Sequence, residues 1–283
     1  MKRIYSALWC LSLLLFQTES NSEAYQIAGM YTQHYRDGTY AEWGKYSRIG
    51  AKLAIEYINK SSLIWPDTIE MHPENIIDYH CSSENVDLMV KSLMEKDIIA
   101  ITGAECSNPA VVMANSGSQF KVPVISYGAN AAELSSTLVY PWFVRVVSPS
   151  ETYEKYLIDL AAFFNIRKIA FIHTTDAWGR GAARVIDEAA KKFDIEVLKK
   201  FSFSRDSSQV EIDKILEIIK TNNIKHIFLT APTPDTVKFF RSVNTSDLNK
   251  KGYSFYASEL ILRDTPNDAI SVSYTHLTLP TKA

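Results

Sequence analysis

From residue 24 onward, short apolar runs alternate with longer stretches in which apolar residues recur every three or four positions. Runs rich in β-branched and aromatic residues read as strands, and the stretches between them read as amphipathic helices. Their regular alternation is the pattern of a parallel α/β sheet with helices on its faces. In the first half, strands are expected at 25–31, 76–79, 98–102 and 123–127, with helices at about 45–59, 85–95 and 109–119. The first helix places Ile49, Leu53, Ile55 and Ile58 near one face, as packing on a sheet requires.

The run 141–147 reads as a strand leaving this first unit, and Ser148-Pro149-Ser150 reads as a hinge. The alternation then repeats, with helices at 151–164, 181–193 and 210–222 and strands at 168–173, 195–201, 225–230 and 253–257. Two lobes follow, 24–147 and 148–271, the second incomplete because no strands returning to the first lobe can be read. Ligands of open α/β sheets sit at the carboxyl ends of the strands, and in a two-lobed protein those ends face each other across a cleft.

The chain ends differ from this pattern. Lys2 and Arg3 precede an apolar core at 4–16 and a polar stretch, so residues 1–23 read as a secretory signal whose core is too short to span a bilayer. The tail 272–283 does not continue the alternation. Its Val272-Ser273-Tyr274-Thr275-His276-Leu277-Thr278-Leu279-Pro280-Thr281 resembles translated sequencing adapter, and the natural protein is expected to continue past Ser271.

Cysteine usage agrees with a secretory route. Of three cysteines, Cys10 falls in the signal; Cys81 and Cys106, 25 positions apart, each end a strand pattern. Adjacent parallel strands would bring those ends within reach, and an oxidising compartment favours a Cys81–Cys106 disulfide. Asn59-Lys60-Ser61 and Asn244-Thr245-Ser246 are sequons at expected loops or helix ends, which makes Asn59 and Asn244 candidate glycosylation sites.

With 46% hydrophobic residues and only 10 Gly and 10 Pro in 283, the chain is globular rather than disordered. A net charge of −2, with Lys and Arg spread singly, gives neither a stripe for nucleic acid nor a polybasic membrane patch. A small neutral or zwitterionic ligand fits better. The sequence has no Gly-x-Ser-x-Gly, no His-Glu-x-x-His and no glycine-rich phosphate loop, and its histidines lack metal-ligand spacing. No enzyme activity, metal or cofactor is expected.

The turn Cys106-Ser107-Asn108-Pro109 closes an apolar strand and opens a helix. Free backbone N–H groups beside a hydroxyl suit a carboxylate there; a plain serine cap followed by an early proline is the alternative.

Three segments carry a family resemblance: Ile99-Ala100-Ile101-Thr102-Gly103-Ala104-Glu105-Cys106-Ser107, Val122-Pro123-Val124-Ile125-Ser126-Tyr127-Gly128-Ala129-Asn130-Ala131-Ala132-Glu133-Leu134-Ser135 and Tyr140-Pro141-Trp142-Phe143-Val144-Arg145-Val146-Val147. In order and spacing they resemble the type I periplasmic-binding-protein fold, in particular the extracellular ligand-binding region of class C G-protein-coupled receptors. The same set occurs in natriuretic-peptide-type receptors and ionotropic glutamate receptor amino-terminal domains.

The resemblance implies that Ser107 holds a ligand carboxylate. A second contact turn corresponds to Tyr127-Gly128-Ala129-Asn130, which lacks two hydroxyls of the family pattern and so argues against glutamate or GABA. Across the cleft it points to Trp178, which either covers the ligand or packs under the following helix, and to Asp176, which either pairs an ammonium or caps that helix. Glu259 corresponds to an acidic contact. Trp43 lies in a region from which some relatives reach the ligand, though a lid or surface role suits it better.

The function implied is ligand binding at the extracellular face of the plasma membrane, signalled by lobe closure, in a protein that dimerises through its first lobe and reaches the membrane through a later part. The alternatives are a soluble solute-binding protein for amino-acid transport and a ligand-free lobe that only dimerises.

Overall fold

The computed structural model describes residues 22–61, 63–204, 206–249 and 252–257. Nearly all of the expected signal, with Cys10, lies outside them, as do Glu259 and the tail. The first sheet is built from six parallel strands, β1 (Ala24–Tyr31), β2 (Thr68–Glu70), β3 (Ile76–Asp78), β4 (Ala100–Gly103), β5 (Val124–Ser126) and β6 (Phe143–Arg145). Their order is β2-β1-β4-β5-β6, with β3 also paired to β1. Strand alternation turns Ala28, Met30, Ile101 and Val124 into one core, where they meet Val86, Val90 and Leu93 of α2 (Val86–Met94) and Ala110, Met113 and Ala114 of α3 (Ser107–Phe120).

The second lobe has a parallel four-stranded sheet of β7 (Lys168–Thr174), β8 (Glu196–Phe203), β9 (His226–Thr230) and β10 (Ser254–Ala257), in the order β10-β9-β7-β8. Both faces are covered. Ile169 and Phe171 pack on α4 (Ser150–Phe163) and α5 (Ala177–Lys192) through Ile158, Ala182 and Ile186. Ala170 and Ile172 pack on α6 (Gln209–Thr221) and α7 (Thr233–Thr245) through Ile212, Leu216, Phe239 and Phe240. A parallel sheet needs cover on both faces, which is why its strands read as continuous apolar runs. The architecture is the expected two-lobed α/β fold with parallel sheets flanked by helices.

Four expectations need correction. The first helix, α1 (Glu42–Lys60), does not bury Ile49 and Leu53; both face solvent with Tyr46 and Tyr57, and the side turned to the sheet carries the buried Gly44. A Cβ at Gly44 would lie 1.6 Å from the Thr32 carbonyl oxygen, so the helix approaches backbone to backbone and needs no large apolar residue there. Strand β2 and helix α7 were not anticipated, the former because it has three residues, the latter because Ala231-Pro232-Thr233-Pro234 reads as a breaker. Helix α5 starts at Ala177 rather than 181, since Asp176 caps it by accepting from the Gly179 N–H.

The expected disulfide is present, though not between neighbouring strands. Cys81 and Cys106 are bonded, with Cα atoms 5.6 Å apart, but β3 and β4 are not neighbours, because β1 lies between them. The two following loops meet over the end of β1, where the Thr32 hydroxyl lies 3.9 Å from Cys106 Sγ.

Candidate functional site

Three strand ends converge between the lobes: the turn after β4 (Cys106, Ser107, Asn108), the loop after β5 (Tyr127–Ala132) and the turn after β7 (Thr174–Ala177). Ser107 is the first residue of α3, with Cys106 in the cap position, so it is not the cap itself. Its buried hydroxyl accepts from the Ala131 N–H at 3.2 Å, which joins the first turn to the second. The turn is less open than its sequence suggests. The N–H groups of Glu105 and Cys106 donate to the Tyr79 hydroxyl at 3.1 and 3.2 Å, and that of Ala104 to the Met30 carbonyl at 3.1 Å.

The β5 loop is held from inside. Ser126 Oγ donates to the Ala104 carbonyl at 2.7 Å and accepts from the N–H groups of Gly128 (3.3 Å) and Ala129 (2.9 Å). Arg145 of β6 donates through Nη1 to the carbonyls of Ala131 (2.8 Å) and Ala129 (3.3 Å) and through Nη2 to Ser135 Oγ at 2.6 Å. The Asn130 carbonyl accepts from the Ser150 N–H at 2.8 Å, tying this loop to the start of α4. At position 128, where a hydroxyl of the family pattern is missing, an added Cβ would lie 3.0 Å from Glu105 Cβ, a tight approach.

Glu105 is the least expected member of the site. It is buried; its Oε1 accepts from the Thr32 N–H at 2.5 Å, and its Oε2 completes no hydrogen bond among the described residues. Burial pushes its carboxyl above the usual range, against the opposing Thr32 hydrogen bond. The Tyr127 hydroxyl likewise completes no hydrogen bond of good geometry, although it lies near enough to Glu105 and Ser47 to feel both. Burial first, and then the Glu105 charge, raises the Tyr127 phenol.

From the second lobe, Asp176 takes the Gly179 N–H at 2.8 Å and the Thr174 hydroxyl at 2.9 Å, so its carboxylate serves α5. Trp178 is buried in the first turn of α5, and its indole N–H has no hydrogen-bond partner among the described residues. Trp43 lies in the first turn of α1, partly exposed, where its indole N–H donates to the Tyr35 hydroxyl at 2.9 Å. The Asn59 side chain pairs with both backbone groups of Ile69 at 2.8 and 2.9 Å, and Asn244 Oδ1 accepts from Asn249 Nδ2 at 2.9 Å.

Ser107 and the Tyr127–Asn130 turn thus stand at the strand ends of the first lobe, Asp176 and Trp178 flank the Ala177 that Asn108 bonds from that lobe, and Trp43 lies on α1. Sequence reasoning did not single out Glu105, Asn108, Ser126 or Arg145. Arg145 carried the one available signal, since an arginine in an otherwise apolar strand needs acceptors. Among the described residues no group of three or more His, Cys, Asp or Glu is placed to hold a metal ion, and no helix is long and apolar enough to cross a membrane.

Two parallel α/β lobes whose strand ends meet in one junction define a ligand-binding fold of the periplasmic-binding-protein type. The family model for the receptor family ligand binding region matches residues 47–279, and the chain belongs to that family. Among curated proteins it is similar to a glutamate receptor 3.1 of Oryza sativa subsp. japonica, at 25% identity over 217 residues, 76% of this chain and 23% of that protein. It is also similar to a metabotropic glutamate receptor 4 of Rattus norvegicus (24% over 182 residues, 63% and 19%) and to an extracellular calcium-sensing receptor of Sus scrofa (24% over 153 residues, 54% and 14%). The chain spans less than a quarter of the length of these relatives.

Proposed function

We propose that this chain is the extracellular ligand-binding region of a cell-surface receptor, that its lobes close on an amino acid or related small acid, and that the first lobe pairs with a second copy. The observation carrying this reading is that Ser107 joins the Ala131 N–H at the strand ends of the first lobe while its neighbour Asn108 bonds the amino end of α5 in the second. The Ser107 hydroxyl, though it accepts from Ala131, keeps its proton to donate to a carboxylate. A ligand touching both lobes favours the closed state by its difference in affinity for closed and open forms, and that difference is the signal.

Thermal melting with each of the twenty L-amino acids, on wild type and Ser107→Ala, tests it. A ligand that raises the melting temperature of wild type and not of the variant supports the reading. A folded wild type that responds to none of them overturns it. That outcome favours the ligand-free dimerising lobe, a second reading that the engaged Ser107 hydroxyl and the direct bridge between the lobes also support.

A further inference from the structure

We propose that Asn108 is an inter-lobe latch: from the first lobe its carboxamide caps the second lobe's α5 and holds the lobes closed. The inference rests on the reading that the lobes open and close.

Helix α5 begins with backbone N–H groups that have no partner within the helix. Its own cap, Asp176, accepts from the third of them, Gly179, and from the Thr174 hydroxyl. The first, Ala177, is satisfied from the other lobe: its N–H donates to Asn108 Oδ1 at 2.7 Å, across 69 residues of sequence. Helix α5 therefore receives one cap from each lobe.

The packing around that bond follows the same face of the helix. Ala177 is buried in the core cluster of the first lobe rather than of its own. One turn on, Gly181 faces the 3-10 turn Ala132–Ser135, where an added Cβ would lie 3.2 Å from Ala132 Cβ. Small residues at 177 and 181 let α5 lie against the first lobe, and Asn108 supplies the polar contact at its tip. Asn108 is otherwise open to solvent, so its bond is made only when the lobes meet and is exchanged for water when they part. An acceptor at the positive end of a helix dipole is well placed for this, and a neutral amide avoids a second carboxylate beside Asp176.

The test uses a donor–acceptor dye pair on Lys91→Cys in α2 and Lys214→Cys in α6, both exposed, in the full chain without ligand. Single-molecule energy transfer then reads the ratio of open to closed forms. Asn108→Ala should raise that ratio about fivefold, the effect of losing one helix-capping bond. Asn108→Leu, which keeps a side chain of similar shape at an exposed position and removes the acceptor, should act alike. Two populations whose ratio ignores position 108 overturn the latch alone. One unmoving distance in every variant, with and without the twenty amino acids, overturns lobe closure and the latch with it.

Discussion

The Thr230 hydroxyl, at the carboxyl end of β9, lies 2.9 Å from each carboxylate oxygen of Glu154 on α4 and has one proton to share between them. Glu154 is fully buried, and burial pushes its carboxyl up to about 7 against the opposing Thr230 bond. Since the folded pKa is above the unfolded one, the neutral acid is the form that the fold favours. Its contribution to stability is full below the unfolded value near 4.5, declines as pH rises to about 7, and changes little beyond. Urea midpoints at pH 5 and pH 8 should therefore differ between wild type and Glu154→Gln. Wild type should lose on the order of 3 kcal/mol relative to the variant across that interval. Parallel pH profiles for the two proteins would show that Glu154 does not titrate there.

Arg145 forks onto the backbone of the β5 loop, a geometry that a single ammonium does not reproduce. Arg145→Lys should cost about 1–3 kcal/mol in stability. Amide exchange over 128–135 should accelerate by more than exchange in β7 and β9. Equal protection in variant and wild type would mean that the loop is held by Ser126 and Ser107 instead.

Removing the Cys81–Cys106 bridge frees a 25-residue separation in the unfolded chain. Cys81→Ser with Cys106→Ser should cost about 3 kcal/mol. Because the bridge joins two loops over β1, the local effect should appear at Thr32 and Glu105. A melting temperature that does not respond to reductant would contradict this.

The alternation of apolar runs made both sheets legible, because a strand buried on two faces has few polar positions. The disulfide was legible too, but β1's insertion between β3 and β4 was not, since strand order depends on tertiary pairing. Ile49 and Leu53 were assigned to the wrong face of α1 because the real contact is Gly44 against Thr32, a close approach that carries no hydrophobic signal. The expected helix began at Gly181, four residues late, and Gly179 and Gly181 lie where the backbone comes close to Thr174 and Ala132, contacts that carry no hydrophobic signal. The junction itself depends on pairs 24 and 69 residues apart, Ser107 with Ala131 and Asn108 with Ala177, which no local pattern announces.

The Gly44 contact is testable by itself. Gly44→Ala places a methyl group against the Thr32 carbonyl, and α1 has to shift outward from β1. The expected cost is about 3 kcal/mol. Gly50, on the same helix with open space around its Cα, is the control: Gly50→Ala should be neutral to stabilising by up to about 1 kcal/mol. Equal effects at the two positions would remove the close approach as the reason for glycine at 44.

The outward face of α1 carries Tyr46, Ile49, Leu53 and Tyr57 at helical spacing, with Leu53 60% and Tyr57 70% exposed. Exposed apolar residues at helical spacing are the kind of surface that proteins use to associate. If the first lobe pairs with a second copy through it, a charge at its centre should separate the copies without disturbing the fold. Leu53→Glu should weaken dimerisation at least tenfold in sedimentation velocity at micromolar concentration, while its melting temperature, extrapolated to low concentration, stays within the small range of surface substitutions. Phe163→Glu, on the exposed end of α4 in the other lobe, should leave the dimer intact. A wild-type chain that sediments as a monomer at every concentration, or a dimer that Phe163→Glu breaks and Leu53→Glu spares, would move the interface away from α1.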